Sequence, residues 1–170
     1  MLPSTALFIF VLHRQREKER RPWVKLKTVS DSDCIKIATL ESQVFSDPWS
    51  EESIKDNVHS DNYLIMGAYE DEDLLGYVIY MLLSEEAELL RIAVKEEARN
   101  KGIATSLLDV MINKTRDEVK EVKSLFLEVR ENNTAARKLY EKTGFVEVGM
   151  RKNYYSNPTE NAVLYKMEID

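Results

Sequence analysis

The sequence predicts an α+β domain in which one mixed β-sheet is flanked by helices. Segments in which apolar and polar residues alternate, or which are continuously apolar, are typical of strands. These predicted strands are interspersed with segments that carry the start signals of helices. The 170 residues contain no repeat and no linker, which indicates one domain. The predicted strands are 23–29, 63–70, 74–83, 88–95, 124–130, 145–152 and 162–169, and the predicted helices are 31–45, 50–58, 103–119 and 134–142.

Residues 1–22 differ from the rest of the chain and are predicted to be an extension outside the fold, which leaves 23–170 as the domain. Their apolar run, Ala6–Leu12, is far shorter than the roughly 20 residues that span a bilayer. The basic residues follow this run, whereas a secretory signal carries them in front of it. We therefore expect a cytoplasmic protein without stable membrane association.

The domain is predicted to begin with a strand and two short helices. Trp23–Val29 alternates apolar and polar residues, as a half-buried strand does. Ser30 or Asp31 can cap the first helix and Ser50 the second, because their side-chain oxygens accept free N–H groups of the first helical turn. Asp47-Pro48 breaks the chain between the two helices.

The remaining elements follow from turn and cap signals. Asp71–Asp73 is a short acidic turn that joins two strands as a hairpin. In 124–130 the apolar residues recur at every second position, which indicates a strand. Asn133 can cap the last helix, and Gly144 can end it.

Composition limits the possible chemistry. Cys34 is the single cysteine, so neither an internal disulfide nor a thiolate metal cluster can form. His13 and His59 are the only histidines and lie far apart, which argues against a His-ligated metal or a Ser-His-Asp triad. We expect no metal.

The charge distribution indicates the kind of partner. The formal net charge is −6, and residues 13–27 carry seven basic and two acidic side chains, so the remainder is more acidic still. An acidic body disfavours nucleic acid and favours amines, polyamines or basic peptides. Acidic surfaces also serve solubility alone, so this signal is general.

A strand, a glycine loop and a helix follow one another between residues 89 and 108. Leu89–Val94 is the strand, Arg99-Asn-Lys-Gly-Ile-Ala104 is the loop, and the helix begins at once. A helix N-terminus offers unpaired N–H groups and a positive dipole end, which suits a phosphate. Gly102 lacks a Cβ and allows close approach of a ligand. An ordinary strand-to-helix turn is the alternative.

The loop Arg99-x-x-Gly102-x-Ala104 resembles the acetyl-CoA signature of the GNAT superfamily of N-acetyltransferases. Further motifs strengthen the match and resemble the RimI-type ribosomal-protein-alanine N-acetyltransferases over residues 24–169. These motifs are Leu127-Glu-Val-Arg130, Asn132–Tyr140, Gly144-Phe145, Pro48-Trp49-Ser50 and Arg151–Tyr155.

The resemblance implies a fold, a reaction and roles for single residues. The fold is a GNAT-like, mostly antiparallel mixed sheet of six to seven strands with about four helices. The reaction is direct transfer from acetyl-CoA to the N-terminal alanine of a small-subunit ribosomal protein. The family's general base matches Glu128 and its general acid matches Tyr140. The residues matched to cofactor binding are Ile92, Ala93, Val94, Asn100, Lys101, Gly102, Ile103, Ala104, Thr105 and Asn133.

The chemistry of these residues agrees with such a transfer but leaves alternatives open. A carboxylate can deprotonate an α-amine of pKa about 8, and a phenol can protonate a departing thiolate. Glu128 could instead pair with Arg130 on the same strand face. Tyr140 could belong to the core, and Tyr154 and Tyr155 either line a peptide groove or pack on the sheet.

Two other functions fit parts of the sequence. A GNAT enzyme acting on a small amine would keep the cofactor loop and replace the peptide groove, and Asn153-Tyr154-Tyr155 argues against it. A non-catalytic acetyl-CoA-binding regulatory module would tolerate loss of Glu128 and Tyr140, and both are present.

Overall fold

A computed structural model describes residues 24–169 as one seven-stranded sheet in the order β1-β2-β3-β4-β5-β7-β6. The predicted extension 1–22 and Trp23 lie outside the described residues. The strands are β1 Lys25–Thr28, β2 Tyr63–Glu70, β3 Asp73–Leu83, β4 Glu86–Val94, β5 Ser124–Arg130, β6 Val146–Ser156 and β7 Thr159–Glu168. The helices are α1 Cys34–Val44, α2 Glu51–Val58, α3 Ile103–Glu118 and α4 Thr134–Lys142.

The α+β prediction is confirmed, and the differences lie at element ends. The first helix starts with a single 3₁₀ turn at Asp31–Asp33, ahead of α1. Strands β6 and β7 reach to Ser156 and back to Thr159, because Ser156 pairs with Thr159 and closes a hairpin. This end of the hairpin is polar and exposed, so no apolar alternation announces it.

Helices cover both faces of the sheet. On one face, Ile37 and Leu40 of α1 and Ile54 of α2 pack in a core cluster with Tyr77 and Ile79 of β3. On the other face, the helix α3 packs against Val78 and Tyr80 of β3, which alternate with Tyr77 and Ile79 along that strand. The α3 residues in this cluster include Leu107, Leu108 and Met111. The α1–α2 face and the α3–α4 face are therefore separate layers, as alternation along a strand requires.

Neighbouring strands β4 and β5 are parallel over four residues and then diverge. Their register runs from Glu86↔Ser124 to Leu89↔Leu127. Beyond that, β4 pairs only with β3 and β5 only with β7 among the described strands. A register shift leaves Leu90 without a partner in β3, and such a bulge bends a strand. The sheet is therefore split along this line.

Candidate active site

A cleft of about 740 Å³ lies where β4 and β5 diverge. Its floor is Leu89–Val94 and Glu128–Arg130. On the α3–α4 face it is lined by the beginnings of α3 and α4, and on the α1–α2 face by the loop after α1 and the β6–β7 turn. The predicted site residues that line it are Ile92, Ala93, Val94, Asn100, Gly102, Ile103, Ala104, Thr105, Glu128, Asn133 and Tyr140. Lys101 is exposed beside the cleft and does not line it.

The N-terminus of α3 offers free backbone donors to the cleft. Gly102 is the N-cap, with φ +81°, and its carbonyl accepts the first helical bond, from Ser106 N at 3.0 Å. The N–H groups of Ile103, Ala104 and Thr105 consequently have no helical acceptor. These donors and the positive end of the helix dipole suit a phosphate group, and we call residues 102–105 the phosphate seat.

We expect Gly102→Ala to weaken cofactor binding more than it weakens the fold. A left-handed φ costs an alanine about 1 kcal/mol of stability. A Cβ at Gly102 meets no atom within 4 Å, so it would project into free space at the cleft. Isothermal titration with acetyl-CoA should show a Kd raised by about tenfold.

Gly149→Ala is the matched control for this prediction. A Cβ at Gly149 also meets nothing within 4 Å, but its φ is not in the left-handed range and it lies on β6, outside the cleft. An unchanged Kd for Gly102→Ala, or an equal rise in the control, would contradict the phosphate seat.

The diverging strands expose backbone groups that a sheet would otherwise bond. Ala93 and Val94 pair with Tyr77 and Gly76 of β3 on one side. On the other side the described part of the chain gives them no strand partner. On this edge the Val94 carbonyl already accepts Arg99 Nε at 3.1 Å. The other backbone groups that face the gap have no strand partner, and because such groups seek partners, this edge suits an extended amide-containing chain. The pantetheine arm of coenzyme A is such a chain, so the predicted residues fit the group.

Glu128 reaches the cleft from the α1–α2 face. Its neighbours Leu127 and Val129 are buried on the α3–α4 side, so alternation turns Glu128 the other way. Its carboxylate pairs with Arg151 Nε at 3.1 Å, and the side chain is 18% exposed. The alternative of a pair with Arg130 is wrong in this structure, because Arg130 binds Glu160 instead, at 3.3 Å.

The surroundings of Glu128 are acidic. Burial and the nearby Glu128 carboxylate raise the pKa of Glu88. The charge of Glu128 also raises the pKa of Tyr154. Arg151 pairs with Glu128 and offsets part of this negative charge. The remaining carboxylate charge favours a cationic group on this face, as the sequence predicts.

Tyr140 reaches the cleft from the opposite, α3–α4 face. It is 5% exposed and packs edge-on against Phe145, with ring centroids 6.0 Å apart, and against Tyr165 at 6.2 Å. Its hydroxyl makes no hydrogen bond within residues 24–169. Burial raises the pKa of Tyr140, so the phenol stays protonated at neutral pH. It both packs in the core and lines the cleft.

Asn133 caps α4 as the sequence predicts. Its Oδ1 accepts Ala136 N at 3.2 Å, and the residue also lines the cleft. The cap and a contact with a bound molecule are compatible, because the carboxamide nitrogen remains available as a donor.

Two arginines hold parts of the cleft wall, a role that the sequence did not predict for either of them. Arg130 donates to the carbonyls of Pro158 and Asn157 at 3.2 and 3.1 Å and lies over the Tyr155 ring. It therefore ties the β6–β7 turn to β5. Arg91 does the same for the loop after α1. A charged residue inside the otherwise apolar run Leu89–Val94 was the available signal for Arg91.

A family model for acetyltransferases of the GNAT family matches residues 34–145, which include β4, the Gly102 loop and Glu128. The chain belongs to the GNAT acetyltransferase family. The predicted resemblance is thereby confirmed, and so is the prediction of an N-acetyltransferase.

Individual relatives indicate which branch of the family this chain resembles. A Haemophilus influenzae protein named ribosomal protein bS18-alanine N-acetyltransferase is 36% identical over 82% of this chain and 94% of its own length. The crystal structure of the ribosomal-protein-S18-alanine N-acetyltransferase from Escherichia coli matches with a TM-score of 0.78 and 28% identity, over 86% of this chain and 94% of that one. The RimI-type resemblance is confirmed by both.

A plant structure shares the fold alone. Arabidopsis thaliana NAA60 in complex with acetyl-CoA superposes with a TM-score of 0.79 at 17% identity, over 86% of this chain and 98% of that one. Within residues 24–169 no group of three or more His, Cys, Asp or Glu side chains could hold a metal ion. No helix among the same residues is long and apolar enough to cross a membrane.

Proposed function

We propose that this protein transfers the acetyl group of acetyl-CoA directly to the N-terminal α-amine of an alanine, the substrate being the small-subunit ribosomal protein bS18. The observation that carries the activity is the cleft, which opens between β4 and β5 to both faces of the sheet. The relative that is 36% identical over 82% of this chain is named for this substrate, and that name supports our choice.

The two faces would receive the two substrates. The phosphate seat lies at the beginning of α3, on the α3–α4 face, so acetyl-CoA would enter there and extend along the edge of β4 in the gap. Glu128 and its acidic neighbours lie on the α1–α2 face, where a cationic peptide N-terminus would approach. Amine and thioester would meet in the gap between the strands, held in orientation by both walls.

The acid and base assignments follow from this arrangement. Glu128 would accept a proton from the ammonium group, directly or through one water, and so produce the amine that attacks. A C–N bond forms at the thioester carbonyl and the C–S bond breaks. Tyr140 would donate its phenolic proton to the departing thiolate, and the second proton that the amine nitrogen loses as it becomes an amide would return to Tyr140 through water in the cleft. No covalent enzyme intermediate is needed, and Cys34 is buried in the first turn of α1, outside the cleft.

The test is mass spectrometry of synthetic peptides incubated with acetyl-CoA and the full chain. The first peptide carries the first residues of bS18, and the second has the same sequence with a blocked N-terminus and an internal lysine. The third has an unrelated N-terminal sequence without charged side chains. Spermidine is tested as a small-amine acceptor. We expect one acetyl group, on the α-amine of the bS18 peptide. Acetylation of lysine or spermidine without any α-amine product would overturn the proposal and favour a small-amine enzyme.

A further inference from the structure

A buried carboxylate outside the acid–base pair organises the start of the cleft wall. Glu41, on the last turn of α1, is 0% exposed. It accepts hydrogen bonds from the Tyr77 hydroxyl, which is also buried, and from the Trp49 backbone N–H at 3.0 Å. Its third partner is Arg91, whose Nε lies 3.9 Å from Glu41 Oε2. Glu41 thus joins α1, the chain after it and strand β4.

Arg91 completes this connection from the cleft floor. Its Nη2 donates to the backbone carbonyl of Asp47 at 3.0 Å and to the Asp47 carboxylate at 3.1 Å. Its guanidinium lies over the rings of Phe45 and Trp49, at 4.5 and 5.3 Å from their centroids. The side chain is only 14% exposed. One arginine therefore contacts three residues of the segment 45–49, which we call the 45–49 loop.

The 45–49 loop is a wall of the cleft, and its Phe45 and Trp49 side chains also pack against the core cluster of this sheet face. Phe45, Ser46 and Asp47 line the cleft next to Arg91, on the same sheet face as Glu128. Its ends are fixed by α1 and by the cap of α2, where Ser50 Oγ accepts Ser53 N. Between these ends, two side chains form hydrogen bonds to the loop backbone: Glu41 accepts the Trp49 N–H, and Arg91 donates to the Asp47 carbonyl.

We propose that Arg91, held by Glu41, is a positioning residue that sets the 45–49 loop as the wall against which the peptide substrate binds. The inference rests on the proposed function, because it assigns the α1–α2 face to the peptide. It predicts that loss of Arg91 weakens binding of the peptide, and that acetyl-CoA, on the other face, binds as before.

Asp47 and Glu41 also compensate the positive charge of Arg91. The substrate's α-amine arrives as a cation, and Arg91 is a cation on the same face. Asp47 and Glu41 offset its charge at 3.1 and 3.9 Å, so the face remains acidic. Loss of Asp47 would both release the loop and increase the repulsion felt by the substrate.

The experiment compares Arg91→Gln, Asp47→Ala and Asp33→Asn with the wild type. Asp33 is the matched control, because it is a buried carboxyl group at the other end of the same helix, with partners Ser30 and Lys36, and lies outside the cleft. For Arg91→Gln we expect a rise of about tenfold in KM for the bS18 peptide, with kcat at saturating peptide and KM for acetyl-CoA nearly unchanged. Asp33→Asn should lower Tm without a rise in peptide KM.

Hydrogen exchange separates this inference from the proposed function. Amides of the 45–49 loop should exchange faster in Arg91→Gln and not in Asp33→Asn, whatever substrate the enzyme uses. Asp47 is exposed, so Asp47→Ala folds even if Arg91→Gln does not, and it should show the same changes to a smaller degree. Unchanged peptide KM and unchanged loop exchange in Asp47→Ala would overturn the inference. If the wild type fails to acetylate any α-amine, the proposed function fails instead.

Discussion

Glu128→Gln is expected to lower kcat by a factor of about 10² to 10⁴, because the amide keeps the size of the side chain but cannot accept the amine's proton. Binding of acetyl-CoA should persist, since the phosphate seat at Gly102 and the edge of β4 do not involve this side chain. Steady-state kinetics with the bS18 peptide and titration calorimetry with acetyl-CoA measure the two effects separately.

Glu147→Gln is a suitable control for this substitution. Glu147 pairs with Arg137 Nη2 at 3.1 Å, the same separation as between Glu128 and Arg151, but it lies outside the cleft. Loss of an ion pair alone would therefore affect both variants alike. A Glu128→Gln enzyme that keeps wild-type turnover would refute the assignment of the base, and one that cannot bind acetyl-CoA would show a structural role.

Tyr140→Phe should lower kcat by a factor of about 10 to 10³, because no phenol remains to protonate the thiolate. Its stability should stay within about 0.5 kcal/mol of the wild type, since the ring contacts remain and the hydroxyl has no partner in residues 24–169. Chemical denaturation and kinetics on the same sample check both statements.

A change of the thiol leaving group tests more directly whether Tyr140 is the proton donor. An acetyl thioester with a more acidic thiol needs less protonation as it departs, so it should restore part of the activity of Tyr140→Phe. Equal kcat in Tyr140→Phe and the wild type with acetyl-CoA would leave Tyr140 with a packing role only. Tyr140→Ala is less informative, because removal of a buried ring costs about 3–5 kcal/mol and would disturb the fold as well.

Local signals in the sequence predicted the secondary structure well. The cap residues Ser50 and Asn133 accept backbone N–H groups as expected, at 3.1 and 3.2 Å. Gly102 has the positive φ that a glycine permits. These features depend on residues a few positions apart, so a single sequence is sufficient to identify them. The extent of the β6–β7 hairpin was less predictable, because its end is polar on both strands.

The candidate site was predictable only in part. The phosphate-seat residues share one contiguous motif and were identified together. The partners of the charged residues were not predictable, because Glu128 pairs with Arg151 and Arg130 with Glu160, each far along the chain. Glu41 looks like an ordinary helix residue in the sequence, and Arg91 is distinguished only by its charge among apolar residues. Their role lies in contacts to each other and to residue 47.

The sequence by itself determined the secondary-structure elements, the family and the loop that begins α3, because turns, caps and motifs are properties of neighbouring residues. The tertiary structure decided where β4 and β5 separate, that Glu128 and Tyr140 enter the gap from opposite faces, and which arginines hold the walls. The physical reason is that these features depend on pairing register and on contacts between distant residues, which form only when the sheet assembles.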